Sequence, residues 1–74
     1  MYIVTLTDLM DSAPAALQQK AKRAEQNFAD AHYSKAYKLF RDITSKLSDN
    51  APIFPNLRAA LINNEGVCLF YEDK

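Results

Sequence analysis

The apolar positions of this 74-residue chain follow a helical rhythm through its middle and lose it at both ends. Leu17, Ala21, Ala24 and Phe28 recur at i, i+4, i+7 and i+11, one face of a 3.6-residue helix. Gln18, Gln19, Lys22, Arg23 and Glu25 cover the rest. The pattern predicts a helix over residues 14–30, capped by Asp11 or Ser12, with Pro14 in a first turn where its missing N–H costs nothing. Alanines on its contact face let another helix approach closely. Residues 31–34 read as a tight connection, with Ser34 as the cap of a second helix over 35–47. In that helix Ala36, Phe40, Ile43 and Leu47 form the inward stripe, flanked by Tyr37 and Leu39. Lys35, Lys38, Arg41, Asp42 and Lys46 face out. A connection this short makes the two helices antiparallel neighbours.

The flanks are less regular. Residues 1–6 (MYIVTL) are apolar and β-branched, which suits a short strand or an extended lead-in, and Thr7 is placed to cap a turn over 8–10. Asp49 and Asn50 can close the second helix, and Pro52 and Pro55 prevent its continuation. Pro55 then suits the first turn of a third helix carrying Leu57, Ala60 and Leu61. Residues 67–71 (VCLFY) are apolar without a gap and fit a helix or a strand equally well. Gly66 either caps the third helix and launches a strand that pairs with residues 2–6, or is the small contact residue of a helix that continues.

The expected fold is all-α: an antiparallel helical hairpin plus a third helix. The alternative is α+β, with the N- and C-terminal segments paired as a small sheet. Residues 1–74 are expected to form one small domain, with a lead-in over 1–12, the hairpin over 14–47, a proline-containing loop over 48–55, and a third helix, or helix plus strand, over 56–74.

Size and composition narrow the function. A chain this short buries only ~60% of its unfolded surface, so its stability is marginal without help. One cysteine, Cys68, cannot form an internal disulfide, and one histidine, His32, cannot build a structural zinc site. The 49% hydrophobic content is high for so small a chain and hints at a buried interface. Nine basic residues balance nine acidic ones, which argues against a general nucleic-acid binder. Seven of the nine basic groups nevertheless lie within 20–46, between acidic ends, and a solvated helix face is the simplest account. The first ten residues lack a basic leader region, and no stretch approaches the ~20 apolar residues of a membrane span, so a cytoplasmic chain without membrane contact is expected. Catalysis finds no support. His32 reads as a surface turn residue, Cys68 as a small core hydrophobe, and one glycine cannot make a phosphate-binding loop. No cofactor or metal is expected.

Ala24, Phe28, Tyr33, Ala36 and Phe40 are spaced at offsets of four, nine, twelve and sixteen. With Ala24 as the small residue of helix A, Tyr33 falls at the turn tyrosine, Ala36 at the small residue of helix B and Phe40 at its aromatic. This order resembles a tetratricopeptide repeat, a helical hairpin of about 34 residues. Gly66 and Phe70 stand 42 residues after Ala24 and Phe28 and resemble the start of a second copy, which ends before its own helix B. Lys20 and Arg23 depart from the family pattern, which prefers a large aromatic and a leucine there.

The resemblance implies a non-catalytic scaffold that binds another protein or itself. By the same alignment Lys22, Glu25, Ala29, Asn63 and Asn64 line a groove. Asn64 matches an asparagine of the clamp-type members, but Ala21 and Glu25 stand where Lys and Asn are needed, so recognition of a terminal carboxylate is not expected. Leu69 and Phe70, in the apolar tail, complete the expected partner-binding set. The alternative function is a small free-standing regulator or inhibitor that docks on a larger enzyme or assembly through Lys22, Arg23, Lys38 or Arg41. Nucleic-acid binding ranks third.

Overall fold

The computed structural model describes residues 2–11, 13–48 and 55–73. Helix α1 spans Ala15–Ala29, α2 spans Tyr33–Ser48 and α3 spans Pro55–Glu72. A short 3-10 turn over Thr7–Met10 precedes them. The fold is all-α, and no strand forms among the described residues. The α+β alternative is therefore not realised. Residues 67–71 continue α3, and residues 2–6 lack regular secondary structure.

Helix order follows from which side chains meet. Phe28 meets Tyr33 edge to face at 5.2 Å where α1 hands over to α2, and Lys20 pairs with Asp42 farther along. The two helices are thus antiparallel. Tyr33 stacks on Tyr71 at 5.3 Å, whereas Thr44 reaches Glu65, so α3 is antiparallel to α2 as well. Helix α2 packs against both neighbours. α1 and α3 therefore run in the same direction, and Phe28 and Tyr71 join them at one end at 5.7 Å.

The inward stripes are those the periodicity predicts. Leu17, Ala21 and Ala24 of α1 and Ala36, Phe40, Ile43 and Leu47 of α2 are buried. Leu57, Ala60, Leu61, Val67 and Cys68 of α3 join them, with Leu6, Met10 and Ala13 from the N-terminal region. Phe28, Tyr37 and Leu39 are partly buried against this core.

Several expected caps differ. Pro14 is the N-cap of α1, with no side-chain cap hydrogen bond, so Asp11 does not serve; Ser12 lies outside the described residues. The Pro14 carbonyl instead accepts from the Leu17 and Gln18 amides, and Gln18 Nε2 donates to the Ala13 carbonyl at 2.8 Å. Leu6 rather than Thr7 caps the 3-10 turn. Helix α2 starts at Tyr33, which puts Ser34 inside its first turn. Gly66 neither caps α3 nor contacts a neighbour: it sits within the helix, exposed, with nothing within 4 Å of where a Cβ would stand. The expected closure at Asp49 and Asn50, and Pro52, lie outside the described residues.

The α1–α2 connection is ordered by backbone alone. The His32 N–H donates to the Asn27 carbonyl at 2.8 Å and the Ala31 N–H to the Phe28 carbonyl at 3.0 Å. That pair of bonds is a Schellman motif, and Ala31 adopts its left-handed position at φ 64°.

Candidate functional site

Side chains from α1 and α3 hold residues 2–6 between them by hydrogen bonds to the backbone. The Val4 N–H donates to Asn64 Oδ1 at 2.7 Å, and Asn64 Nδ2 donates back to the Val4 carbonyl at 2.9 Å. One residue exchanging both backbone groups with one partner is the pairing found between antiparallel strands. Here a side-chain primary amide replaces the partner strand. Asn63 Nδ2 lies 3.4 Å from the Tyr2 carbonyl and 3.3 Å from Asn64 Oδ1. From the α1 side, Glu25 Oε2 accepts the Leu6 N–H at 2.8 Å.

These bonds share one feature. They reach backbone groups of residues 2, 4 and 6, every second residue of the segment that leads into the 3-10 turn. The side chains of Tyr2 and Val4 are 89% and 41% exposed. Leu6 is fully buried and Ile3 partly so. The segment is therefore held by its backbone groups and by two aliphatic side chains.

Asn64 is 0% exposed. A buried amide is costly unless paired, and Val4 pairs both its donor and its acceptor. Glu65, next along α3, turns toward α2. The Thr44 hydroxyl lies 2.6 Å from Glu65 Oε2, and Arg41 Nη1 lies 3.6 Å from Glu65 Oε1. Both buried polar residues of α3 thus tie it to another part of the chain. Periodicity gives no sign of Glu65, because burial of a glutamate depends on what faces it across the helix contact. The small polar stretch Asn63-Asn64-Glu65 inside an otherwise apolar helix is the one available signal.

The expected site residues separate into three groups. Glu25, Asn63 and Asn64 come together around residues 2–6. Lys22, one turn before Glu25, lines a small hollow with Met10, Gln18 and Ala21, while Ala29 is exposed at the end of α1. Leu69 and Phe70 lie on the outer side of α3, 45% and 43% exposed. His32 is exposed at the turn, as expected. Arg41, expected to face a partner, is directed at Glu65.

Cys68 is fully buried, and burial, together with the nearby Glu65 and Glu72 carboxylates, pushes its thiol up to about 11. It is therefore protonated at neutral pH and a poor nucleophile. Among the described residues no group of three or more Cys, His, Asp or Glu side chains is placed to hold a metal ion. Among the described residues no helix is long and apolar enough to cross a membrane. Comparison with protein-family models, curated proteins and solved structures gives no match.

Proposed function

We propose that this chain is a non-catalytic protein–protein interaction module, with α3 as its docking helix. The observation that carries the reading is that α3 is apolar on both sides. Its inner side buries Leu57, Leu61, Val67 and Cys68 in the core. Its outer side presents Ala59, Ile62, Gly66 and Leu69 at offsets of three, seven and ten, with Phe70 adjacent. Ile62 is 58% exposed. A helix apolar all round is normally a buried helix. In a chain whose other two helices are amphipathic, an apolar outer side is best explained by a second protein surface covering it.

The arrangement supports a tetratricopeptide-like reading. Ala24, Ala36 and Phe40, which carry the resemblance, are all fully buried. α1, α2 and α3 then correspond to helix A, helix B and the next helix A. The outer side of α3 is where a following helix B would pack, and repeat units need stacked neighbours for stability.

Leu69→Glu places a charge on that surface without touching the core. It is expected to weaken partner capture or self-association by at least about tenfold, while helix content by circular dichroism stays at the wild-type level. Phe70→Ala should have a smaller effect in the same direction. Unchanged association by calorimetry and sedimentation in both variants would exclude α3 as the docking surface.

A further inference from the structure

We propose that the outer side of α3 is the interface of a twofold dimer, in which the α3 helices of two copies of this chain pack antiparallel and cross beside Gly66. The inference rests on the reading of α3 as the docking helix and names its partner as a second copy.

The spacing of the exposed residues sets the register. Arg58, Ile62, Gly66, Leu69 and Asp73 are all exposed. At 3.6 residues per turn they fall in one stripe roughly 80° wide. Ile62 and Leu69 stand three and a half residues either side of the midpoint between Glu65 and Gly66, and Arg58 and Asp73 stand seven and a half either side. A stripe with that symmetry matches itself when reversed. Turning a second α3 end for end about the midpoint brings Ile62 opposite the partner's Leu69 and Arg58 opposite the partner's Asp73, twice each. Such an interface is isologous and closes at two subunits. Gly66 lies beside the axis with nothing within 4 Å of where its Cβ would stand, so the two backbones can approach closely.

The end charges of α3 point to the same arrangement. A helix dipole favours acids in the first turn and bases in the last. Helix α3 has the reverse: no acid in its first turn and no base in its last, with Arg58 near its start and Glu72 and Asp73 at its end. None of the ion pairs among the described residues uses Arg58, Glu72 or Asp73. An antiparallel copy offsets this, bringing the partner's Asp73 to the N-terminal end of α3 and the partner's Arg58 to its C-terminal end. A parallel copy would set like charges side by side. A partner of another sequence would need the same apolar spacing and the opposite end charges, and this chain already carries both. Its formal net charge of zero leaves no overall repulsion between copies.

Sedimentation equilibrium of the full chain over a concentration series should show a monomer–dimer equilibrium. Arg58→Glu and Asp73→Arg each set two like-charge pairs across the interface and should each weaken the dimer by roughly tenfold or more. Both changes suit the dipole of α3 itself, so circular dichroism should show helix content retained. Mixing the two single variants recreates attractive pairs at both ends and should give heterodimers about as tight as the wild-type dimer. A dimer weakened by neither variant, or not recovered on mixing, would overturn the proposal. So would a wild-type chain that stays monomeric up to roughly 1 mM, the weak end of specific affinities. In that last case α3 as a docking helix still stands or falls on whether Leu69→Glu weakens capture of another protein. A dimer that forms and is untouched by Leu69→Glu would remove both readings.

Discussion

Ala31 adopts a backbone conformation that a residue with a Cβ enters only at a cost. Its φ of 64° is required by the Schellman turn that ends α1, where the Ala31 and His32 amides close onto the Phe28 and Asn27 carbonyls. Glycine takes this position without steric penalty, and part of the gain is offset by the greater freedom of glycine in the unfolded chain. Ala31→Gly is therefore expected to stabilise the chain by about 0.5–1 kcal/mol, read as a higher urea midpoint with an unchanged slope. Ala31→Val should lower the midpoint. Cys68 supplies a second check on single-residue environment. A thiol raised to about 11 and fully buried reacts only when the structure opens. At pH 8 its reaction with a disulfide reagent should be slower than that of a free thiol by orders of magnitude, and denaturant should restore the full rate. A fast reaction in buffer would mean that the end of α3 frays open readily.

Helix α3 shows where sequence patterning reaches its limit at the scale of an element. The stripes of α1 and α2 could be read directly, because polar residues separate Leu17, Ala21 and Ala24 and separate Ala36, Phe40 and Ile43. Residues 67–71 carry no such contrast, so their pattern fits helix and strand equally, and the helix lets Tyr71 pack against Tyr33 and Phe28. Alignment to a repeat singles out Glu25, Asn63 and Asn64 as residues that face a partner, and gives no sign that they bond the chain's own residues 2–6. That residues 2–6 lie against Asn64, 60 positions away from Val4, is a long-range pairing that no local spacing encodes. Gly66 was misread for a related reason: a lone glycine signals a cap or a close approach, and here the space around it is open. Glycine inside a helix is less favourable than alanine by about 0.5–1 kcal/mol. Gly66→Ala should raise thermal stability by that amount, roughly 4–8 °C per kcal/mol for a domain of this size. If the outer side of α3 docks a partner closely over Gly66, the same substitution should weaken association. Higher stability with unchanged binding would place the docking contact elsewhere along the helix.

For the molecule as a whole, α2 is the hub, and a polar network ties it to each neighbour. Arg41 and Thr44 join it to Glu65 of α3, and Asp42 joins it to Lys20 of α1 with Lys46 at 3.3 Å on the same carboxylate. With a formal net charge of zero, pH acts on stability through such local pairs rather than through overall repulsion. The hydrogen bond from Lys20, reinforced by Lys46, holds Asp42 below its ordinary 3.8, although partial burial opposes the shift. The same bond to Asp42 raises Lys20 above its ordinary 10.5. A lowered carboxylate contributes stability that is complete above its unfolded value and is lost as pH falls through the folded one. A raised amine contributes below its unfolded value and loses it as pH rises through the folded one. The pair's contribution is thus flat from about pH 5 to pH 9 and declines on both sides. Asp42 is half exposed, so salt screens the attraction and the contribution is small. Lys20→Met should leave the neutral-pH melting temperature nearly unchanged and make the acid decline shallower. In about 1 M salt the difference between the variant and wild type should vanish. An acid limb of equal steepness in both chains at low salt would show that the Lys20–Asp42 pair does not govern the loss of the fold.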